Sequence, residues 1–418
     1  MSVALTYLAR VNLSVAGHAV QEDMHFSTVT MGWVFSAFLL GYALMQVPSG
    51  WAADRFGPRR VVAVAVLVWA VFTALTGLAP VLPVARWLGL VTVFMLIRFM
   101  VGVGEAACFP AGNKLVANWM GPEARGWGAS FNVIGVGLGG AITPPLITAV
   151  LLRWGWRWSF YVCAGIGIIF ALVWYLVVRN RPGPGPLAGR DSKPSAASMG
   201  RQDDPRRQPV PWARLLKSPS VWGLILGYFC QGYPIYFYYT WIFIYLTRVR
   251  GLTVQQGGIW GTLPYISIAL LAPFGGLFSD SFSRRLGKKR GRQIAVWTGM
   301  FVSALLLWLG SRAPDSITAV LLLAGASGAN MFSAPTFWAA SIDLSPEFAG
   351  SLSGLMNMFG NMGGWLSPIV TAYIATRVGW AQALLVAALV TVASGLCFIF
   401  VDASRCLDPA ETVRAVEN

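Results

Sequence analysis

The chain has 418 residues, of which 56% are hydrophobic and only 11% are charged. Soluble domains carry a charge at roughly a quarter of their positions, so this composition excludes an ordinary soluble protein and indicates a chain that lies in a bilayer. The formal net charge of +15 could suggest a nucleic-acid partner. The basic residues, however, sort to alternate loops between apolar runs, as membrane topology requires, so no nucleic-acid partner is expected.

Apolar runs long enough to cross about 30 Å of hydrocarbon as a helix recur along the whole chain. The first run, Val3 to Gly17, is short, which predicts a first helix truncated at its N-terminal end with Met1 inside the bilayer. Further runs lie near residues 31–51, 61–79, 88–113, 127–151, 158–178, 220–246, 256–278, 293–310, 316–341, 351–375 and 380–401. Lipid offers the backbone no hydrogen-bond partner, so each run is expected to be helical.

A segment rich in proline, glycine and charge interrupts this series at residues 179–218. It has no apolar periodicity and is typical of a disordered linker, whose basic residues are expected to meet anionic lipid headgroups. The sequence therefore predicts an N-terminal six-helix bundle at 1–178, a C-terminal six-helix bundle at 219–403 and a tail at 404–418. Most lysines and arginines fall on the side that holds the linker, which predicts cytoplasmic termini. The excess of arginine over lysine favours a GC-rich bacterium and its inner membrane.

A short basic turn recurs between apolar runs in the two halves of the chain. The first copy is Gly50-Trp51-Ala52-Ala53-Asp54-Arg55-Phe56-Gly57-Pro58-Arg59-Arg60, and the second opens at Gly276. This repeat resembles the signature loops of the major facilitator superfamily, which lie between helices 2 and 3 and between helices 8 and 9. The resemblance implies an all-α membrane protein with twelve transmembrane helices in two pseudo-symmetric six-helix bundles.

The same resemblance implies that the two turns form a gate. Their carboxylates, arginines and helix dipoles would hold the halves together only in the outward-open state. The residues expected to take part are Gly50, Asp54, Arg55, Gly57, Arg59, Asp280 and Arg284.

Three ionisable residues lie deep within apolar runs, namely Arg10, Arg98 and Glu105. A charge at that depth costs about 3 kcal/mol or more unless it faces a watery cavity and a partner, so these residues are functional candidates. Arg98 and Glu105 are seven residues apart and share a helix face, which also allows a purely structural ion pair. Two arginines against one carboxylate leave a surplus cation. Because arginine offers a planar fork for a carboxylate, the surplus predicts an anionic ligand.

At these residues the sequence resembles the anion:cation symporter branch of the superfamily, which holds bacterial sugar-acid symporters and sialin-like organic anion carriers. The helix 1 motif is Tyr7-x-x-Arg10-Val11-Asn12, and the helix 4 motif is Arg98-x-x-x-Gly102-x-Gly104-Glu105. Trp338 and Asn357 stand in motifs similar to those of helices 10 and 11. The resemblance covers residues 3 to about 400.

The resemblance implies that Arg10 clamps a substrate carboxylate, with help from Tyr7, Tyr42, Trp338 and Asn357. It also implies that Glu105 takes and releases a proton and is coupled to Arg98. Ala9 departs from the pattern, because sugar-acid symporters usually carry an aspartate there as a second proton site. The proton coupling is therefore open at this point, although sialin-like carriers also lack that aspartate.

Other polar residues in the apolar runs allow two interpretations. Tyr42 and Gln46, four apart on helix 2, either line the cavity or hydrogen-bond to another helix. The cluster Tyr233, Tyr236, Tyr238 and Tyr239 is more typical of packing or of an interfacial belt, although one or two of these tyrosines could gate the outer side.

The sequence thus predicts a secondary active transporter that takes up an organic anion, such as a hexonate or hexuronate, by proton symport through alternating access. A proton-independent exchanger or uniporter is the alternative in the same fold. A membrane-embedded enzyme or channel is disfavoured, because no second carboxylate, histidine cluster or nucleophile–base pair accompanies Glu105. The five cysteines lack metal-ligand spacing, so no metal or cofactor is expected. The expected partners are the anion, protons and lipid, and the chain is expected to act as a monomer.

Overall fold

The computed structural model describes residues 2–119, 125–180, 211–345 and 348–407. Its long helices are α1 Ser2–Met24, α2 Thr28–Phe56, α3 Pro58–Leu78, α4 Leu90–Glu105, α5 Cys108–Trp119, α6 Arg125–Trp154, α7 Trp156–Val177, α8 Pro219–Thr240, α9 Leu263–Leu286, α10 Lys288–Arg312, α11 Ser316–Leu344, α12 Ala349–Arg377 and α13 Trp380–Cys397. Shorter helical pieces are Ala79–Val81, Val84–Leu88, Trp212–Leu215, Ile242–Ile244, Tyr245–Val249, Val254–Trp260 and Phe398–Phe400.

The described ranges contain twelve membrane-crossing segments, because α4 and α5 together form one span. Six precede and six follow residues 181–210. These residues make up most of the predicted linker and lie outside the described residues. The all-α fold with two six-helix bundles is therefore confirmed. Residues 408–418 of the predicted tail are also outside the described part of the chain.

The first helix is longer than the sequence predicts. The apolar run ends at Gly17, whereas α1 continues to Met24 and has 23 residues, enough for about 34 Å of helix. Polar residues such as Gln21 and Glu22 carry the helix on beyond the apolar run, so hydropathy underestimates its length. The prediction for Met1 lies outside the described residues.

Four glycines with positive φ mark an internal repeat. Gly57, Gly155, Gly287 and Gly379 have φ values of 84°, 85°, 83° and 119°, a region that glycine adopts without the penalty of a Cβ. Each glycine ends the second span in a group of three, and the third span begins at the next residue. The chain is therefore built from four three-span units, two in each half.

The fourth span breaks beside its acidic residue. Helix α4 ends at Glu105, two residues lie in a turn, and α5 begins at Cys108. Pro110 explains the break, because it has no N–H to donate to the carbonyl of Ala106 and its ring would clash with that carbonyl. The carboxyl group of Glu105 therefore lies at a helix end rather than in the middle of a continuous helix.

Helices α2 and α4 cross with their backbones in direct contact at two glycines. A Cβ built on Gly102 would overlap the carbonyl oxygen of Phe38, and one on Gly41 would overlap that of Phe99. Small residues of this kind let membrane helices approach closely. The crossing fixes the position of α4, and hence of Arg98 and Glu105, against α2.

We expect Gly102→Val to separate this crossing and to lower the thermal unfolding midpoint of the detergent-solubilised protein by several degrees. The matched control is Gly165→Ala in α7, where an added Cβ meets nothing within 4 Å. Alanine favours a helix over glycine by about 1 kcal/mol, so this control should unfold at the same temperature or slightly higher. An unchanged midpoint for Gly102→Val, measured by tryptophan fluorescence, would show that the backbones need not touch.

Most of the described hydrogen bonds between the two halves lie toward one end of the helices. We call the end that carries the turns at Gly57 and Gly287 the basic side, and the end where α1 stops the opposite side. On the opposite side, Ser14 Oγ donates to the carbonyl of Thr240 at 2.8 Å, and Ser36 Oγ donates to the carbonyl of Trp365 at 2.7 Å. The described polar contacts of the two basic turns, by contrast, stay within their own halves. The structure is therefore closed on the opposite side, whereas no described polar contact joins the two basic turns to each other.

Three of the helices at this meeting surface are less apolar than the other spans. Nine of the described helical segments are long and apolar enough to cross a membrane by composition alone, but α1, α8 and α12 are not among them. These three helices carry polar side chains toward the partner half, among them Arg10, Tyr236 and Asn357. Polar residues in a membrane helix are retained where they face a cavity or a partner, which locates the candidate site between the halves.

Candidate functional site

A buried ion pair joins α1 to α4. Arg10 donates to Glu105 Oε1 from Nε at 3.0 Å and from Nη2 at 2.5 Å. The two residues are 6% and 1% exposed. Removing one partner of such a pair leaves an uncompensated charge, at a typical cost of about 3–5 kcal/mol. The carboxylate therefore holds the arginine in place in this structure.

Aromatic rings surround the guanidinium group of Arg10. Its Cζ lies 4.7 Å from the ring centroid of Tyr42, 5.0 Å from that of Tyr7 and 5.1 Å from that of Phe38. Cations over aromatic faces are stabilised by about 2 kcal/mol or more when desolvated. The rings compensate part of the cost of burying this cation without occupying its N–H groups, two of which donate to Glu105.

Arg98 approaches the same place from α4 but does not pair with Glu105. It is 2% exposed, its Cζ lies 5.1 Å from the ring centroid of Phe38, and its Nε and Nη1 have no hydrogen-bond partner among the described residues. Glu105 Oε2 also lacks a partner there. The sequence allowed an ion pair between Arg98 and Glu105. In the structure Glu105 pairs with Arg10 instead, and Arg98 has no direct counter-ion among the described residues.

A small cavity lies between the two arginines and α8. Its volume is about 10 Å³, room for a single water molecule. Its lining residues are Arg10, Phe35, Phe38, Leu39, Arg98, Tyr236, Tyr239 and Thr240. An organic molecule can enter only if the side chains or the two halves move apart.

Tyr236 and Tyr239 are site residues that the sequence did not single out from the tyrosine cluster. The Tyr236 hydroxyl donates to Asn361 Oδ1 at 2.9 Å, and the Tyr239 ring meets that of Tyr7 edge-on at 5.3 Å. They are three residues apart and therefore share a face of α8. The three-residue spacing of these tyrosines could have identified them from sequence. It became informative only when the structure showed that this face of α8 lines the cavity with Arg10.

Gln46 and Asn357 bridge the two halves on the basic side of the cavity. Asn357 Nδ2 donates to Gln46 Oε1 at 3.0 Å, while Gln46 Nε2 is buried without a partner in the described structure. Trp338 is 39% exposed and donates from Nε1 to the hydroxyl of Tyr228 at 3.2 Å. The structure thus brings Tyr7, Tyr42 and Arg10 together, places Gln46 and Asn357 in one contact, and gives Trp338 a separate partner in its own half.

The first basic turn is bound within its own half. Arg59 Nε donates to the carbonyl of Tyr175 at 2.7 Å, and the Arg59 backbone N–H donates to Asn180 Oδ1 at 2.9 Å. Arg55 stacks on Trp51, and Gly50 faces Pro110 at 3.7 Å from the position of a Cβ. The side chain of Asp54 lies outside what the structure describes. Gly57 supplies the positive φ that ends α2 and starts α3.

The second basic turn is organised by an arginine that the sequence did not single out. Arg292 Nη1 donates to Asp280 Oδ1 at 2.6 Å and to Ser279 Oγ at 2.8 Å, and Arg292 Nε donates to Asp343 Oδ2 at 3.1 Å. Lys288 Nζ lies 2.8 Å from Asp343 Oδ1. Arg284 is exposed. The predicted gating residue Asp280 is therefore tied to α10 and α11 in this conformation.

These contacts favour reversible anion binding over covalent chemistry. Arg10 Nε and Nη2 both donate to Glu105, so a carboxylate that entered the cavity would have to compete with Glu105 for them. A carboxylate buried without a counter-ion is costly, and a proton removes that cost. Among the described residues no three histidine, cysteine or acidic side chains are grouped so as to hold a metal ion.

Comparison with known proteins agrees with this arrangement. The chain matches the family model of the Major Facilitator Superfamily over residues 1–368 and 251–413. A relative in Cupriavidus necator named "Probable sulfoacetate transporter" is 30% identical over 90% of this chain and 85% of that protein. A relative in Escherichia coli named "Probable galactarate/D-glucarate transporter" is 29% identical over 90% of this chain and 85% of that protein.

A solved structure shares the fold across the whole chain. The bacterial homolog to the human lysosomal transporter Spinster, in an inward-facing and unoccupied conformation, superposes with a TM-score of 0.75 at 19% identity and covers 96% of this chain and 95% of that one. A likeness at that identity supports the fold alone. Together with the family match over most of its length, it shows that this chain is a multi-pass membrane transporter, not an enzyme, and belongs to the Major Facilitator Superfamily.

Proposed function

We propose that this protein is a secondary active transporter that takes up an organic anion by proton symport through alternating access. A sugar acid such as a hexonate or hexuronate is the first candidate substrate, and the names of the relatives, which are transporters of acids, support the anion class. The observation that carries the proposal is the buried pair of Arg10 and Glu105 beside a cavity at the meeting surface of the halves.

The coupling follows from competition for one guanidinium group. A substrate carboxylate takes the bidentate position on Arg10, which releases Glu105 into a buried environment without its counter-ion. Proton binding then neutralises Glu105, so substrate and proton are loaded together. On the other side of the membrane, proton loss lets Glu105 return to Arg10 and expel the anion.

We place the basic side in the cytoplasm, of a bacterial inner membrane, because lysine and arginine concentrate there. The structure then corresponds to a state that is closed on its outer side and in which Gln46 and Asn357 still join the halves on the inner side of the cavity. Tyr7, Tyr42, Gln46, Asn357 and Trp338 are proposed to line the substrate path. The basic turns, with Arg292 and Asp343 added to the residues predicted from sequence, are proposed to close the inner side in the opposite state.

Uptake into membrane vesicles tests the function. Vesicles that contain the protein should accumulate a labelled hexuronate when the outside is more acidic than the inside, and a protonophore should abolish the accumulation. Ala9, in the place where sugar-acid symporters carry an aspartate, favours the alternative of exchange or uniport without protons. Equal initial uptake and no accumulation with or without the pH gradient would select that alternative.

An ion pair across the closed opposite side gives a test of alternating access itself. Arg248, which follows α8, lies 3.5 Å from Glu22 Oε1 of α1 through its Nη2, and the same nitrogen donates to the carbonyl of His18 at 3.4 Å. His18 Nδ1 lies 3.4 Å from Glu22 Oε2. Arg157, in contrast, lies 2.9 Å from Asp23 within a single half.

We expect Arg248→Ala to increase the population that is open on this side by a factor of about two to five, the effect of losing one partly exposed ion pair. The readout is the labelling rate of Ser36→Cys by an impermeant maleimide added from outside, with the parent protein as blank. Arg157→Ala removes an ion pair at the same depth without touching the meeting surface, and should leave labelling unchanged. Equal rates in the two variants would contradict the assignment.

A further inference from the structure

Arg98 is a buried cation that the proposed mechanism does not use. Two of its nitrogens, Nε and Nη1, have no hydrogen-bond partner among the described residues, although its side chain is almost fully buried. Such groups are costly unless a partner arrives. Arg98 lines the same cavity as Arg10, so the partner it lacks can come from a molecule bound there.

The two arginines flank one aromatic ring. Each guanidinium carbon lies 5.1 Å from the ring centroid of Phe38, so the two carbons are separated by at most twice that distance. Glu105 is hydrogen-bonded to only one of the two arginines. Both bonds from Arg10 end on its Oε1, and its Oε2 has no partner in the described structure. A chain of a few carbon atoms with an acidic group at each end can reach both guanidinium groups.

The charge count separates two classes of substrate. With Glu105 protonated, as in the loaded state of the proposed coupling, the three buried groups carry two positive charges. A monoanion in that state leaves one positive charge uncompensated, whereas a dianion leaves none. Uncompensated charge in a low-dielectric site is costly, so the protonated site favours a dianion over a monoanion.

We propose that the site prefers an organic dianion, one acidic group bound by Arg10 and the second by Arg98, with a proton on Glu105 in the loaded state. This inference rests on the proposed function and narrows its substrate class. In this proposal, the proton on Glu105 binds together with the dianion. Arg98 becomes a specificity-determining residue rather than only a neighbour of Glu105.

The test uses two six-carbon acids that differ in one terminal group, gluconate with one carboxylate and glucarate with two. Isothermal titration of the purified full-length protein should give at least tenfold tighter binding of glucarate, since each charge-assisted bidentate contact contributes strongly. Repeating the titration in buffers with different ionisation enthalpies should give uptake of about one proton per glucarate bound and less for gluconate. In Arg98→Gln the preference should fall to about threefold or less.

Arg157→Gln, on the opposite side, is the matched arginine control and should retain the preference. If Arg98→Gln does not fold, the wild-type preference and its proton count still decide the matter. Equal affinity of the wild-type protein for the two acids would overturn the dianion proposal, and so would an Arg98→Gln variant that weakens both acids equally. Binding of neither acid, nor of any other carboxylate or sulfonate in a panel, would instead remove the proposed function itself.

Discussion

Replacement of Arg10 by alanine is expected to abolish substrate binding and uptake. The substitution removes the bidentate contact for a carboxylate and also the guanidinium around which Tyr7, Phe38 and Tyr42 are arranged. Loss of a charge-assisted bidentate contact in a buried site should weaken binding by about a hundredfold or more. Uptake of labelled substrate and titration of the purified variant measure the two effects separately.

The structure adds a second consequence, because Arg10 is also the counter-ion of Glu105. A variant without this arginine leaves a buried carboxylate unpaired and should be less stable, by up to about 3–5 kcal/mol if the carboxylate stays ionised. The double variant Arg10→Gln with Glu105→Gln removes both charges and keeps polar side chains of similar size. We expect it to regain thermal stability without regaining binding.

This pair of variants separates a binding role from a structural one. If the double variant recovers uptake as well as stability, Arg10 serves only to neutralise Glu105, and the carboxylate-clamp assignment is wrong. Arg10→Lys keeps the charge but loses the planar fork, and should bind at least tenfold more weakly than the wild-type protein.

The number and approximate position of the spans could be predicted from sequence, because hydropathy reports directly on length in the bilayer. The failure at α1 has a physical reason. Gln21 and Glu22 are polar, and hydropathy cannot tell a helix that continues out of the apolar layer from one that has stopped. The glycine turns could also be predicted in part, since Gly57 was visible in a repeated motif, whereas Gly155 and Gly379 belong to no motif that was recognised.

The embedded charges could be identified from sequence, but their pairing could not. Arg98 and Glu105 share a helix face by spacing alone, so the sequence joined them. The observed partner, Arg10, is 95 residues away from Glu105 along the chain, and its approach depends on how α1 packs against α4. For the same reason, Tyr236 and Arg292 were not distinguished from the other tyrosines and arginines of their segments.

Glu105→Gln is expected to keep substrate binding and exchange but to lose accumulation driven by a pH gradient. The hydrogen bonds explain why the amide should be tolerated. Both bonds from Arg10 end on Oε1, and Oε2 accepts none in the described structure, so a glutamine can keep its oxygen toward Arg10 and turn its NH₂ to the unpartnered position. The variant thereby keeps the shape of the site and loses only the group that can carry a proton.

The measurement compares two assays on the same proteoliposomes. For electroneutral symport of one proton with one monoanion, a gradient of one pH unit supplies about 1.4 kcal/mol, equivalent to tenfold accumulation. Glu105→Gln should bring this ratio to about one, while counterflow against internal unlabelled substrate stays within a few-fold of the wild-type rate. Glu105→Asp keeps an ionisable carboxyl and should retain part of the accumulation. Because Ala9 offers no second carboxyl beside Arg10, persistent tenfold accumulation in Glu105→Gln would mean that the proton binds outside this site and that Glu105 only positions Arg10.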